Sequence, residues 1–163
     1  MAFILFISFL IFLRIGELIL SRRNEKWLLQ NGAIEYGKAH YPFIVILHIL
    51  FIISLIAEYD IMRPVSYSLF FLVAYVLLIL LKVWVISSLG KFWNTKIYRA
   101  PSFPLVKKGP YRYIKHPNYV IVIGEIAVIP LIFHLYYTAI IFTVLNLCML
   151  SVRIKEENKV LKI

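Results

Sequence analysis

Cysteine is nearly absent. Cys148 is the only one, and it sits in an apolar run. That excludes an internal disulfide and every Cys-based metal spacing. The four histidines, His40, His48, His116 and His134, are scattered along the chain, so no metal site is expected. Charge is scarce as well. Only 16% of the 163 residues are charged and 62% are hydrophobic, against about 25% and 45–50% in soluble domains. With a mean hydropathy of +0.86, an ordinary soluble fold is excluded. Acids are the rarest charged type: eight, against eighteen Lys and Arg, for a net charge of +10. The basic residues fall in short clusters between apolar runs, which fits membrane topology rather than nucleic-acid binding. The N-terminus has no basic region and no small-residue cleavage site, so the first apolar run reads as a retained span.

What is present is a series of apolar runs. They predict an all-α polytopic membrane protein, one domain over 1–163, with about five transmembrane helices. The spans are expected at about 2–20, 41–57, 66–86, 119–133 and 135–152, each read against a hydrocarbon core of about 30 Å. The link His134–Tyr137 is too short to separate independent helices, so the last two spans form a tight helical hairpin. Arg14 and Glu17 share one face of the first span, where they pair or face a polar cavity. Ser21–His40 reads as a polar loop, Glu58–Pro64 as a short acidic loop, and Lys82 as a snorkelling residue near the end of its span. Glu125 lies inside the fourth span. The loops of 21–40 and 87–117 and the C-terminal tail carry most of the Lys and Arg. Five spans put all three on one side, which the positive-inside rule makes cytoplasmic, with the N-terminus outside.

The stretch Lys107–Tyr119, KKGPYRYIKHPNY, is the longest that burial in lipid does not explain. Topology places it beside Arg153, Glu156 and Glu157 of the tail. A cation, carboxylates, a histidine and tyrosines then converge where the last two helices meet water. Such a set suits a polar ligand with charged and aromatic parts. Gly109 permits close backbone approach, and Pro110 and Pro117 fix the course of the loop. Taken without their order, the same residues also suit a plain basic membrane boundary.

The order GPYRYIKHPNY, an apolar two-helix hairpin and then RIKEENKVL resembles the isoprenylcysteine carboxyl methyltransferase family and its bacterial relatives. The resemblance begins near SLGKFWN and runs from about Leu81 to Leu161. It is similar to a bacillus-type subgroup linked to methylation of long-chain alkylpyrones. What it implies is an integral-membrane, S-adenosylmethionine-dependent O-methyltransferase with its cofactor in a cytoplasmic pocket and a lipophilic acceptor drawn from the bilayer. By position, Gly109, Tyr111, His116, Pro117, Tyr119 and Glu156 would bind the cofactor, and Arg153 and Glu157 would be catalytic. Two registers fit the family's acidic pair, Glu157–Asn158 and Glu156–Glu157; the fit to Leu161 favours the first. The chain departs from the pattern in its short tail. Two other classes stay open. One is an NADPH-dependent reductase of the sterol-reductase type. The other is a small transporter or assembly protein with Arg14, Glu17, Lys82 and Glu125 lining a pathway.

Overall fold

The computed structural model describes residues 1–161. Five helices make the body: α1 (Ala2–Gln30), α2 (Tyr41–Met62), α3 (Leu69–Leu89), α4 (Pro117–Leu131) and α5 (Tyr136–Leu161). Two three-residue strands, β1 (Ile34–Tyr36) and β2 (Ile97–Arg99), pair antiparallel with Glu35 opposite Tyr98. Four helices are long and apolar enough to cross a membrane; α4, at 15 residues, is shorter. The molecule is an all-α polytopic membrane protein, and the small sheet is an addition that the apolar runs did not announce.

The bundle buries one stripe of each helix and leaves the others to lipid. Phe3, Ile7 and Leu10 of α1 meet Leu47, Phe51 and Leu55 of α2, Tyr75 of α3, Ile126 and Ile129 of α4, and Phe142 of α5. Outward-facing Phe12, Ile19, Phe43, Phe70, Leu80 and Ile140 are exposed. Apolar faces this extensive are stable only in a bilayer, where helices satisfy every backbone group internally.

Several expected boundaries move, each for a local reason. The 21–40 segment is not all loop. No Pro or Gly interrupts SRRNEKWLLQ, and Ser21, Asn24 and Leu28 present a buried face at helical spacing. The helix therefore continues to Gln30 and stops before Gly32, whose φ is +75°. Glu58 is not in a loop either. It is buried in α2, and its carboxylate accepts from the N–H groups of Tyr137 and Thr138 at 3.1 and 2.7 Å. It thus caps the N-terminus of α5, where orphan donors and the helix dipole favour an anion. The tail is the last turns of α5 rather than a separate segment. The link between α4 and α5 closes through Leu135 N–H on Pro130 C=O at 3.0 Å, with His134 at φ +58°, which makes the expected hairpin.

Lys82 does not snorkel. It is buried, and its ammonium donates to Glu17 at 2.9 Å and to Glu125 at 2.5 Å. Arg14 donates to Glu17 and to Glu125, both at 2.9 Å. Two cations and two carboxylates from α1, α3 and α4 close into a neutral quartet. A lone charge would be expensive at this depth, and four paired ones are not.

Candidate active site

The long connection from α3 to α4 is held by α1 and by its own turns. Asn24 donates to the carbonyls of Trp93 and Gly90 at 2.7 and 3.2 Å. Ser21 meets the side chains of Asn94 and Thr95 at 3.0 and 2.8 Å. Lys96 and Tyr98 converge on Glu25 at 2.8 and 2.5 Å. The Lys96 ammonium is partly buried, which opposes its charge, but Glu25 and Glu35 hold its pKa above the ordinary value. Through these contacts the segment 90–99 becomes a rigid strap over the end of the bundle.

The strap leads to a 3-10 turn at Gly109–Arg112. Gly109 has φ +54°, and a Cβ there would stand 2.1 Å from Ser88 Oγ on α3, so both backbone conformation and space require glycine. Pro110 is buried beneath the turn. Pro117 occupies the first turn of α4, where its missing N–H costs nothing, and His116 is the residue that caps that helix. These backbone choices aim Tyr111, His116 and Tyr119 at one side of α5.

Arg153 and Glu157 lie one turn apart on that face of α5. They do not pair directly; Tyr119 stands between them. Its hydroxyl donates to the Glu157 carboxylate and accepts from Arg153 Nε at 2.7 Å. Arg153 also donates to the carbonyl of Thr95 on the strap, and its guanidinium carbon sits 5.5 Å from the Tyr119 ring. His116 stacks on Tyr119 with centroids 5.4 Å apart. Its Nε2 is 2.8 Å from Asn158 Oδ1 and its Nδ1 is 3.4 Å from Glu157. Hydrogen bonding to Glu157 raises the His116 pKa above its ordinary value, against a smaller opposing effect of burial. Burial, and next the Glu157 charge, push the Tyr111 phenol up.

Tyr111, His116, Tyr119, Arg153 and Glu157 line one cavity of about 370 Å³. Gly109 and Pro117 shape it from behind without lining it. Glu156 is not brought in: it turns outward and accepts from Lys159 at 2.9 Å. Asn158 instead touches His116, so the Glu157–Asn158 register describes the group that assembles. A second cavity, about 270 Å³ and largely apolar, lies among α1, α2, α4 and α5. Trp93, Asn118, Tyr119 and Arg153 line both and form the wall between them. In that wall the buried Trp93 Nε1 and Asn118 Oδ1 have no hydrogen-bond partner among the described residues. Trp93 and Thr95 are not legible as site residues in the sequence, because nothing local says that the strap folds back onto α5. The one signal is that Trp93 falls within SLGKFWN and Thr95 directly follows it.

The more polar of the two cavities thus holds His116 and Glu157, and it shares Tyr119 and Arg153, at the ends of two membrane helices, with the apolar one. The family model of the isoprenylcysteine carboxyl methyltransferase (ICMT) family matches residues 68–163. The chain belongs to this family. It is therefore a membrane methyltransferase, and the matched region holds every residue of the group just described. Over 162 residues it is 46% identical to a Bacillus subtilis protein described as uncharacterized, YpbQ, covering 98% of this chain and 96% of that one. An uncharacterized Haemophilus influenzae protein is 32% identical over 150 residues, 90% of this chain and 87% of its own. No solved structure matches the chain.

Proposed function

We propose that this family member transfers a methyl group from S-adenosylmethionine to an oxygen of a lipophilic acceptor. The observation that carries the reading is the shared wall: Tyr119 and Arg153 face a polar cavity on one side and an apolar, lipid-level cavity on the other. The polar cavity fits the cofactor. Its volume is in the ~300–1,000 Å³ range of small-molecule sites. It offers the Glu157 carboxylate and the aromatic side chains of Phe103 and Tyr111 to a cation, and the Trp93 N–H and Asn118 oxygen, unpartnered among the described residues, to polar groups. When bound, S-adenosylmethionine supplies an electrophilic methyl group on a sulfonium.

The chain's own residues then do the positioning. Tyr119 ties Glu157 and Arg153 into one unit, so that the carboxylate faces the cofactor cavity while the guanidinium stays in the wall. The two bonds that Arg153 makes to Tyr119 and Thr95 engage only part of its five N–H donors, and the rest suit an acceptor oxyanion. An acidic enol or carboxylate needs no strong base. For a neutral acceptor, Glu157 would take the proton. Holding the reacting atoms in line, away from water, accounts for most of the acceleration.

The basic residues Lys107, Lys108, Arg112 and Lys115 lie at the site's end of the bundle, which is read as cytoplasmic with the N-terminus outside. α4 spans about 22 Å at 1.5 Å per residue, short of an apolar core of about 30 Å. A helix this short does not reach both surfaces, which is compatible with Tyr119 at its N-terminus lying within reach of a lipid. A long-chain alkylpyrone, another polyketide or an isoprenoid carboxylate satisfies these demands. A transport path is not favoured, because Arg14, Glu17, Lys82 and Glu125 close on one another rather than forming a file.

The test uses purified protein in lipid nanodiscs with labelled S-adenosylmethionine and a membrane lipid extract, read by mass spectrometry for a gain of one methyl group. Wild type is expected to label a lipid. Tyr119→Phe removes both hydrogen bonds of the hydroxyl to charged groups and should lose at least about 10- to 100-fold in rate, with a cooperative thermal transition showing that the variant is folded. Full activity in Tyr119→Phe and Glu157→Ala together would overturn the assignment.

A further inference from the structure

The apolar cavity has two polar ends. Near Arg153 it meets the wall already described. Two helical turns deeper it meets a second polar layer, built from residues seven positions away from members of the first. Asn146 lies seven before Arg153 on α5, and Glu125, which holds the cavity-lining Arg14, lies seven after Asn118 on α4. Seven residues of helix return to the same face about 10 Å along the axis. The repeat is thus a vertical spacing on two helices.

Asn146 is the unexplained member of the deeper layer. It is 2% exposed, lines the cavity, and its Nδ2 has no hydrogen-bond partner among the described residues. An unsatisfied amide buried among apolar side chains is destabilising unless a ligand completes it. Its neighbours supply the complement. His48 lines the same cavity, and its Nδ1 is 2.8 Å from the Ile44 carbonyl. A carbonyl only accepts, so that nitrogen carries the proton and Nε2 is left as an acceptor. Arg14 also lines the cavity, but its charge is matched within the quartet. A donor, an acceptor and balanced charge suit a neutral oxygen function. A second anion would meet no unpaired cation there.

We propose that the deeper layer is a second binding point for the acceptor, and that the acceptor carries a neutral hydroxyl or carbonyl oxygen about 10 Å from the oxygen that is methylated. This rests on reading the apolar cavity as the acceptor's. The enzyme then selects an amphiphile with polar groups at two depths over a plain prenyl or alkyl chain. The Asn146 amide donates to the inner oxygen.

The test is a binding measurement independent of methyl transfer. Wild-type protein in nanodiscs is loaded with parinaric acid, and octadecanoic, 2-hydroxyoctadecanoic and 10-hydroxyoctadecanoic acids are used to displace it, with empty discs subtracted. The 10-hydroxy acid is expected to displace about three- to tenfold more tightly than the other two, the scale of one neutral hydrogen bond. In Asn146→Leu that preference should vanish while octadecanoic acid binds as before, which also shows that the variant is folded. Equal affinities in wild type, or a preference that survives in Asn146→Leu, overturn the proposal. Titration of the same discs with S-adenosylhomocysteine separates the two readings: absent cofactor binding would sink the methyltransferase reading and leave the displacement result standing.

Discussion

Both ring nitrogens of His116 face acceptors, Glu157 on one side and Asn158 on the other. An imidazolium, which donates from both, satisfies that arrangement better than either neutral tautomer. Lys115 opposes the charge, and Glu157 outweighs it. The consequence for pH has a definite sign. A histidine whose folded pKa lies above its unfolded value, near 6.5, stabilises the fold fully below that value and loses the contribution as pH rises through the higher folded one. The thermal midpoint in nanodiscs should therefore decline as pH rises above about 6.5 and through the higher folded value. In His116→Asn the decline should be shallower. Identical profiles would mean that His116 and Glu157 are not coupled. The chemistry of this residue was legible in its HPNY setting. Its partner was not, because 42 positions separate His116 from Asn158 and only the hairpin brings them together.

At the scale of elements, the hairpin of α4 and α5 carries half of the site, and its angle of entry depends on α2. Glu58 satisfies two N–H groups at the start of α5, and it is 8% exposed. Glu58→Ala leaves those donors buried and removes a favourable charge from the positive end of a 26-residue helix. A loss of about 1–2 kcal/mol is expected, seen as a lower thermal midpoint together with faster amide exchange at Tyr137 and Thr138. Glu58→Gln should recover part of it, since the amide oxygen still accepts. The sequence suggested an acidic loop here because a carboxylate after an apolar run ordinarily marks the exit from a membrane. Nothing local says that another helix begins beside it. The same limit explains the 21–30 turns of α1: their buried face is amphipathic and short, and it becomes helix because the strap covers it.

For the whole molecule, the quartet of Arg14, Glu17, Lys82 and Glu125 ties three helices together near mid-bundle. Its parts are interdependent. Glu125→Leu leaves two cations sharing one carboxylate, which should cost about 3–5 kcal/mol, as for breaking a buried ion pair. Lys82→Met combined with Glu125→Leu removes one charge of each sign and leaves Arg14 with Glu17. The double variant should be more stable than Glu125→Leu alone, by thermal unfolding in nanodiscs. A double variant less stable than either single one would mean that the four charges do not act as one neutral set.

Hydropathy and the order of a few residues decided a great deal by themselves. Apolar runs determine helices in lipid, because the backbone has no other way to satisfy its hydrogen bonds there. The short link at His134–Tyr137 determines a hairpin. The GPYRYIKHPNY and RIKEEN stretches determine which residue types can meet at its open end. Only the tertiary structure decided that Tyr119 stands between Arg153 and Glu157, that Glu156 turns away, that Trp93 and Thr95 close the wall, and that Lys82 and Glu125 neutralise each other at depth. Those contacts join residues from 34 positions apart, for Tyr119 and Arg153, to 58 apart, for Thr95 and Arg153. Their partners are selected by packing geometry and charge balance across helices, which a linear pattern of residue types does not encode.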